Sequence, residues 1–467
     1  MAVSASFVKD LITALLGADA ATNSRPLVEY LNGIPRLETL KDLPSGTPVL
    51  IRGDVDAKPG ATIGEGDIRL RSMLETIEFG RKRGWKQIIF GHIGRKPEGS
   101  LNKVAKRLGE LLKTDVALMD NWLDPTTNVV SDDVTKAIAA LPPGGVLVLE
   151  NTRKYDIERV LWKAKAGDAA ALAEPLAKFA QQLADKVAKV YVNEALSAGS
   201  LDASSTVVPA AMDKAVLGAY VAHEFDKPMR RCLNAELVVF SGLKTDKLDD
   251  LQAVIDRGHV KLIFVAGNLA LALKKAEAEL ANQPFSLGVA EKPENASQPW
   301  FIERSRVEQA KAMLTEAKQK GIEFALPSDF VLQDGRVSAT IGPDDQNFDV
   351  GTATSQKFAD KIGEYIAQLK NRPAGSPPAV AFYNGVFGMF EDERFAGGTK
   401  NFIPQLKRLK DAGVEVYIGG GEGGTALEMY GQPDWITHCF TAGGTVLNAL
   451  GSAPVPYLVT LYRAANR

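Results

Sequence analysis

The sequence predicts an α/β protein made of two doubly wound, parallel-sheet domains of the Rossmann-like kind, which face each other across an interdomain cleft. The chain has 467 residues, which is too long for one ordinary hydrophobic core. Short runs rich in Val, Ile, Phe and Tyr alternate along it with longer stretches of helical periodicity. Polar clusters follow these runs, and open parallel sheets bind their ligands at the corresponding strand ends.

The apolar runs predict the strands of both sheets. They read PVLIRGD, KQIIFGHIG, GGVLVLENTR and KVYVNEAL in the first half, and ELVVFSGLK, VKLIFVAGN, AVAFYNG and EVYIGGGEGG in the second. The stretches between them carry a single apolar stripe, as Leu101, Val104 and Leu108 illustrate. Continuous apolar strands separated by such helices indicate parallel sheets that are covered on both faces.

Composition and charge exclude several classes of function. The formal net charge of −2 gives no global basic field, so we expect neither nucleic acid nor a membrane surface as a partner. Cys232 and Cys439 lie far apart, which argues against a disulfide framework and fits a reducing compartment. Lys9 and Asp10 interrupt the first apolar stretch, which favours a short amphipathic helix over a signal peptide. A cytoplasmic monomer is therefore expected.

The two halves of the chain differ in the side chains that follow their predicted strands. The first half offers Arg52, Asp54, His92, Arg95 and Arg153, which suit an anionic substrate held by forked guanidinium groups. The second half offers glycine-rich turns, whose backbone amides can approach phosphates, together with the polar residues Lys244 and Asn384. One half for an anionic acid and one for a nucleotide is the layout of a kinase.

The run GGGEGG at 419–424 matches the dinucleotide-binding pattern G-x-G-x-x-G after a predicted strand, but such a match alone is weak. Too little chain follows it for a second nucleotide-binding half, and no acidic residue ends a following strand. The Walker pattern G-x-x-x-x-G-K-[ST] does not occur in the sequence. The motif therefore favours neither a dinucleotide dehydrogenase nor a P-loop enzyme.

Several longer motifs carry a resemblance to a known family. GHIGRKPEGSL resembles S-H-L-G-R-P followed by S-L, LENTR resembles L-E-N-L-R, and VYVNEA resembles V-Y-V-N-D-A-F. In the second half, YNGVFGMFEDERFAGGTK resembles W-N-G-P-x-G-V-F-E-x-x-x-F-A-x-G-T, and IGGGEGGTA resembles I-G-G-G-D-T-A-T-A. The order and approximate spacing agree from about residue 36 to residue 462. The chain thus resembles the phosphoglycerate kinase family, as a divergent member.

The resemblance implies roles for residues of the first half. Arg52 and Asp54 match the arginine and aspartate of R-V-D-F-N, and Asp56 stands at its asparagine. Arg69 matches the family's catalytic arginine, which binds the carboxylate and neutralises charge during phosphoryl transfer. The resemblance also implies that the distal phosphate of the acid is bound by His92, Arg95 and Arg153.

The resemblance also implies a site for Mg²⁺ with ATP or ADP in the second half. Lys244 and Lys247 resemble the lysine pair that holds the transferring phosphate, with one residue missing between them. Glu391 stands at the acid expected near the ribose, and Glu422 replaces an aspartate that ligates magnesium. The full set of implied nucleotide contacts is Gly242, Lys244, Gly267, Asn384, Glu391, Gly421, Glu422, Gly443 and Gly444.

Departures from the family pattern affect both halves. Where the family reads G-T-A-H-R-A-H this chain reads SAGSLDA, so that Leu201 replaces an arginine and Ser200 a histidine. Asp56 adds negative charge beside an anion site, and Val265 and Ala266 replace two glycines of the adenine pocket. A charge-assisted hydrogen bond is worth about 1.5–3 kcal/mol. We therefore expect a poor phosphoglycerate kinase.

The implied organisation is an N-terminal extension at 1–35, an acid-binding domain at 36–225 and a nucleotide-binding domain at 226–444, with the tail 445–467 packing back on the first domain. The leading function is glycolysis-type, reversible phosphoryl transfer between 1,3-bisphosphoglycerate and ADP. The partners would be a small phosphorylated acid and an adenine nucleotide. Two alternatives stay open: a related kinase acting on another carboxylate, and a catalytically silent paralogue with a binding or scaffolding role.

Overall fold

The structure is a computed structural model that describes residues 3–16, 25–243, 245, 247–451 and 454–467. The described residues form two compact units. The N-terminal unit contains the described residues up to 227 together with 454–467, and the C-terminal unit contains the described residues from 228 to 451. Within the described part of the chain, no helix is both long enough and apolar enough to cross a membrane.

A parallel sheet forms the centre of the N-terminal unit. Its described strands are β1 (Pro48–Gly53), β2 (Lys86–Phe90), β3 (Val116–Met119), β4 (Val146–Leu149), β5 (Val190–Glu194) and β6 (Lys214–Leu217). They lie in the order β3-β4-β2-β1-β5-β6, and all pairs are parallel. The chain leaves the central β1 toward β2 and later returns to its other side as β5. The strand order therefore reverses between β1 and β5, the place where such sheets bind ligands.

Helices surround this sheet and bury its apolar strands. The described helices are Ala5–Leu16, Leu27–Gly33, Ile68–Ser72, Leu74–Lys82, Asn102–Leu112, Asp132–Ala140, Asp156–Arg159, Ala169–Lys186, Ala203–Thr206, Ala219–Glu224 and, near the C-terminus, Pro456–Ala465. Every residue of β4 and β5 is buried, as is β1 after its first residue. Since side chains of a strand alternate between the two faces, burial throughout means that both faces are covered.

The two ends of the chain pack on the N-terminal unit. In the helix Ala5–Leu16, Val8 and Leu11 are fully buried, and the helix lies against Ala169–Lys186. In the helix Pro456–Ala465, Leu461 is fully buried, and Thr460 donates a hydrogen bond of 2.7 Å to the carbonyl of Thr206. Each terminal helix therefore contributes side chains to the core of this unit.

The C-terminal unit is built around a second parallel sheet and a small antiparallel one. Its described strands are β7 (Leu237–Gly242), β8 (Leu262–Ala266), β9 (Glu323–Ala325), β10 (Phe330–Leu332), β11 (Val337–Ser338), β12 (Asn347–Val350), β13 (Val380–Asn384), β14 (Glu415–Gly419) and β15 (His438–Phe440). The parallel sheet has the order β15-β14-β13-β7-β8-β9, and the antiparallel sheet has the order β11-β10-β12. Strand order reverses between β7 and β13, which makes this pair the second switch point.

The core of the C-terminal unit is rich in aromatic side chains. The described helices are Arg230–Cys232, Lys247–Asp256, Gly267–Leu280, Arg304–Gln319, Thr352–Leu369, Gly397–Asp411, Gly421–Tyr430 and Gly443–Leu450. Phe264 lies edge-on to Phe358 and Phe402, with ring centroids 5.2 and 5.6 Å apart. Such contacts fix the helices of Phe358 and Phe402 against β8, beyond what burial alone provides. The prediction of two α/β domains, each with a doubly wound parallel sheet, is confirmed.

A buried carboxyl at the end of β5 anchors the following helix. Glu194 is fully buried and accepts a hydrogen bond of 3.0 Å from the backbone amide of Tyr220, in the first turn of Ala219–Glu224. Burial raises the pKa of Glu194 to about 8, because the charged form loses its hydration there. The protonated form can still accept this bond, so the helix start stays satisfied while the group is neutral.

The buried position of Leu461 predicts a stability effect. Leu461→Ala should lower the free energy of unfolding by about 2–5 kcal/mol, because it leaves a cavity in the core of the N-terminal unit. The matched control is Leu280→Ala, a leucine that is 50% exposed, which should change stability by less than about 0.5 kcal/mol. Urea unfolding of the full chain measures both effects, and equal losses would contradict the packing of the C-terminal helix described above.

Glu194 predicts a pH dependence of stability. Its pKa is raised from an ordinary 4.5 to about 8 in the folded chain, so the unfolded chain loses this proton first as the pH rises. The contribution of Glu194 to the free energy of unfolding is complete below the pKa of the unfolded chain. It falls by up to about 1.4 kcal/mol per pH unit as the pH rises toward 8. Glu194→Gln removes this titration and should flatten the curve. Urea unfolding between about pH 5 and about pH 8 tests it, and parallel curves would refute it.

Candidate active site

Arg52 organises the polar cluster at the carboxyl end of β1. Its side chain is fully buried, and Nε donates to Ser204 Oγ at 2.9 Å while Nη1 donates to the Gly53 carbonyl at 3.0 Å. The remaining nitrogen, Nη2, lies 2.7 Å from His92 Nδ1 and donates to it, since guanidinium has no acceptor. Arg52 thereby connects the ends of β1 and β2 to the segment that follows β5.

His92 is a neutral side chain in this cluster. Burial, followed by the charges of Arg52 and Arg153, lowers its pKa well below the ordinary value of 6.5. Because Nδ1 accepts from Arg52, the ring proton lies on Nε2, which is 3.9 Å from Asp56 Oδ2. His92 can therefore offer one N–H donor to a ligand but no positive charge.

Arg69 faces two carboxylates that follow β1. It lies in the short helix Ile68–Ser72, and Nη1 donates to the backbone oxygen and to Oδ2 of Asp56 at 2.8 and 2.9 Å. Its Nε lies 3.8 Å from Asp54 Oδ1. Burial raises the pKa of Asp54, whereas the charge of Arg69 and a hydrogen bond donated by Ser197 oppose that shift. Arg69 is 22% exposed at its side chain, so part of it remains open to solvent.

Arg153 is paired with a carboxylate that was missed at the level of sequence. Its Nη2 lies 2.9 Å from Asp202 Oδ2, and its Nη1 donates to the Gly94 carbonyl at 2.7 Å. Asp202 is fully buried, and it also accepts from Trp162 Nε1 at 2.9 Å. The sequence signal for it is the aspartate at the second alanine of G-T-A-H-R-A-H, directly after the departures at Ser200 and Leu201.

Glu158 is a second buried carboxyl that sequence reasoning did not identify. It accepts from the backbone amide of Ser204 at 2.7 Å and from Ser204 Oγ at 2.5 Å. Burial and then the neighbouring charge of Asp202 raise its pKa. Ser204 thus relays hydrogen bonding from Arg52 to Glu158.

A surface cavity of about 380 Å³ opens beside Arg153. It is lined by Arg95, Arg153, Trp162, Ser200 and Leu201. Arg95 is exposed, while the guanidinium carbon of Arg153 lies 4.7 Å from the centre of the Trp162 ring system. The cavity therefore combines two guanidinium groups with an indole and an isobutyl side chain.

Lys247 occupies the switch point of the C-terminal unit. It is the first residue of the helix Lys247–Asp256, and its Nζ donates to the carbonyl of Ser241 at 2.5 Å and to Asn384 Oδ1 at 3.0 Å. Asn384 Nδ2 in turn donates to the Gly419 carbonyl at 2.7 Å. A chain of hydrogen bonds therefore joins the carboxyl ends of β7, β13 and β14.

Glycines let the backbone come close at the same edge. Gly267 has φ +66°, and a Cβ there would lie 2.7 Å from the carbonyl oxygen of Gly242. Gly420 has φ +100°, and a Cβ there would lie 3.1 Å from the Cα of Gly443. A side chain at either position would be strained and would meet backbone. Three helices begin beside these contacts, at Gly267, Gly421 and Gly443, so backbone N–H groups are concentrated there.

The predicted nucleotide-binding residues differ in their exposure and in their distance from the strand ends. Glu422 lies in the first turn of Gly421–Tyr430 and is exposed, and Gly444 follows Gly443 in the first turn of its helix. Glu391 is exposed in the loop after β13, without a hydrogen bond to the described strand-end residues. Lys244 lies outside the described residues. Val265 and Ala266 are fully buried, so neither side chain has exposed surface that a ligand could contact.

Comparison with known proteins identifies the family. The model of the family described as phosphoglycerate kinase matches residues 40–452. The chain belongs to the phosphoglycerate kinase family. The predicted enzyme class, a phosphotransferase with a carboxyl group as acceptor, is confirmed by this membership.

Individual relatives place the chain as a divergent member. Cytosolic phosphoglycerate kinase of Triticum aestivum is 29% identical over 436 residues, covering 90% of this chain and 96% of that protein. Phosphoglycerate kinase of Clostridium botulinum is 29% identical over 453 residues, covering 91% and 98%. The solved phosphoglycerate kinase of Pyrococcus horikoshii OT3 matches with a TM-score of 0.68 at 22% identity over 92% of this chain and 99% of that one, which supports the fold.

Proposed function

We propose that this protein transfers a phosphoryl group reversibly between an acyl phosphate and ADP, in the manner of the glycolytic reaction for which its family is named. The observation that carries the proposal is the pair of switch points, one lined by guanidinium groups and one by a lysine and helix N-termini. The N-terminal unit would bind the acid, and the C-terminal unit the nucleotide. 3-Phosphoglycerate is the reference acid, through the family name.

Arg69 is the group that we assign to the reacting carboxylate. It is the partly exposed guanidinium of the cluster, whereas Arg52 is enclosed by its hydrogen bonds and has no exposed surface. Positive charge beside the transferring group stabilises the oxygens on which charge develops. Arg52, Asp54 and Asp56 would then hold Arg69 and the strand ends in position, while Arg95 and Arg153 contact the far end of the acid.

The nucleotide phosphates would lie at the helix N-termini beside Lys247. Backbone amides at Gly267, Gly421 and Gly443 and the ammonium group of Lys247 provide donors of the kind that phosphates accept. Asn384 orients Lys247 through its Oδ1. The resemblance would add contacts from Lys244 and Gly242 to the same phosphates, and Glu391 is the proposed ribose contact.

The residues present fit a nucleotide-bound magnesium ion. Within the described part of the chain, no group of three or more His, Cys, Asp or Glu side chains is arranged to hold a metal ion. Mg²⁺ bound to a nucleotide needs only one or two protein carboxylates, because phosphate oxygens and water complete its shell. Glu422 is an exposed carboxylate at the start of a helix on this edge, and we assign it that contact. The ion would neutralise charge on the phosphates.

The proposal assigns the chain's own residues to positioning and charge neutralisation. In-line transfer passes through a loose transition state with its charge spread over the equatorial oxygens. Arg69 would place positive charge beside the acid and Lys247 beside the nucleotide phosphates, and exclusion of water would prevent hydrolysis of the acyl phosphate. The similarity to relatives named cytosolic supports a cytoplasmic location. A monomeric state stays a prediction.

Lys247 provides the first test of the nucleotide site. Lys247→Met should lower kcat by about 100-fold or more, since it removes a charge beside the transferring phosphate and the donor to Asn384. The matched control is Lys318→Met, an exposed lysine of the same unit, which should leave kcat unchanged. Acyl phosphate formed from ATP and an acid can be trapped by hydroxylamine as the hydroxamate. A loss of less than threefold in Lys247→Met would contradict the assignment.

Arg69 provides the matching test of the acid site. Arg69→Ala should lower kcat by about 100-fold while it raises the KM for the acid much less, because its charge acts on the transferring group. Arg71→Ala removes a guanidinium from the same short helix, where it pairs with Asp67, and should change neither parameter by more than about threefold. Equal changes in kcat and KM for Arg69→Ala would refute the role.

A further inference from the structure

Asp202 is a carboxylate held inside the cluster of cations that would receive an anionic substrate. It has no exposed surface, and its oxygens lie 2.9 Å from Arg153 Nη2, 3.5 Å from Arg52 Nη2 and 3.5 Å from His92 Nδ1. Trp162 Nε1 donates to it as well, at 2.9 Å. Two of these groups, Arg153 and His92, are among those that the resemblance assigns to a phosphate.

Removing Asp202 from this position would be costly. A buried arginine that loses its partner leaves an uncompensated charge, which strongly destabilises a protein. Asp202 directly precedes the buried helix Ala203–Thr206 and has no exposed surface itself, so its short side chain has little room to turn away. A phosphate approaching Arg153 would therefore meet a guanidinium that is already paired, with a fixed negative charge beside it.

The charge balance of the whole cluster also disfavours a phosphate at this position. Four guanidiniums belong to it, on Arg52, Arg69, Arg95 and Arg153, and His92 adds none because its pKa is lowered. Against them stand the carboxyls of Asp54, Asp56, Asp202 and Glu158, and burial raises the pKa of two of these, Asp54 and Glu158. Asp56 pairs with Arg69 at 2.9 Å. A phosphate adds a charge of about −1.5 to −2 at neutral pH. These carboxyls already offset much of the guanidinium charge, which leaves too little for a carboxylate and a phosphate together.

Part of the lining of the cavity beside Arg153 is an apolar wall, next to the donors of Arg95, Arg153 and Ser200. Trp162 is 37% exposed, and Leu201 lies next to it in the lining of about 380 Å³. Trp162 directs its only hydrogen-bond donor, Nε1, at Asp202 and so presents its ring to the cavity rather than a donor. An uncharged, partly apolar group fits this wall better than a phosphate does.

We propose that Asp202 is a built-in counter-anion, and that the substrate is a carboxylic acid whose far end carries a neutral, partly apolar group instead of a phosphate. The inference rests on the proposed function, because it names the acid that the same site takes. The reacting carboxylate keeps Arg69, while the far end lies on Trp162 and Leu201. Asp202 then acts on specificity through Arg153 and Arg52, as a positioning residue.

Calorimetric titration of the full wild-type chain tests the inference without any variant. The probes are 3-phosphoglycerate, glycerate and 3-phenyllactate, which differ at the far end of the acid. We expect 3-phenyllactate to bind more tightly than glycerate, and 3-phosphoglycerate to bind no more than about threefold more tightly than glycerate. Binding of 3-phosphoglycerate more than about tenfold tighter than that of glycerate would overturn the proposal.

Asp202→Asn isolates the charge. Asparagine keeps an acceptor for Trp162 and removes the negative charge, so 3-phosphoglycerate should bind at least about tenfold more tightly while glycerate changes by less than about threefold. Asp213→Asn, an exposed aspartate of the same unit, is the matched control. Circular dichroism checks that both variants fold. An unchanged affinity for 3-phosphoglycerate in folded Asp202→Asn would overturn the proposal.

Hydroxamate trapping with ATP separates this inference from the proposed function. Formation of hydroxamate from 3-phenyllactate with a higher kcat/KM than from 3-phosphoglycerate supports both. Efficient turnover of 3-phosphoglycerate, with a ratio to glycerate that Asp202→Asn leaves unchanged, overturns the role of Asp202 and keeps the kinase. Absence of hydroxamate from every acid, together with absence of ATP binding, overturns the proposed function itself.

Discussion

The placement of one central strand in each parallel sheet determines where chemistry can occur in this protein. β1 and β7 each have neighbours on both sides, and the chain moves first to one side and then to the other. The loops that follow the central strand and its later neighbour therefore part in opposite directions, which leaves a crevice at the carboxyl ends. Arg52 ends one such strand, and Asn384 and Ser241 end the other pair. The hydrogen bonds that join these strand ends depend on that parallel register.

Burial at these strand ends makes the polar groups dependent on one another. Arg52 has no exposed surface, so each of its nitrogens needs an acceptor, and Ser204, His92 and the Gly53 carbonyl supply them. The cluster is satisfied only as a set, because Ser204 also serves Glu158. Substitution of one member therefore alters the hydrogen bonding of the rest, and for the same reason a single added carboxylate can change the charge of the whole cluster.

The sequence reveals the interior strands far better than the edges of the sheets. The eight apolar runs correspond to β1, β2, β4, β5, β7, β8, β13 and β14, which are interior strands. The strands that no run predicted within the parallel sheets, β3, β6, β9 and β15, are their edges, with 4, 4, 3 and 3 residues. An edge strand has a neighbouring strand on one side only, so it is less enclosed and needs fewer apolar residues. Its hydrophobic pattern in the sequence is therefore weaker. The same limit applies to Asp202, since its partners Arg52 and Arg153 are distant in sequence and only the fold brings them together.

The segment after β5 shows how a fixed scaffold can change its specificity. Residues 196–202 form a 3-10 turn and a loop, so a side chain there can be exchanged without altering any strand pairing. Leu201 lines the cavity, whereas Asp202 pairs with the buried Arg153. The two adjacent positions therefore affect different properties, the polarity of the cavity lining and the charge of the buried cluster next to it. Leu201 removes a positive charge that the resemblance places at this position, and Asp202 adds a negative charge beside Arg153 and Arg52. Both departures lower the net positive charge around the two buried arginines, so they act in the same direction.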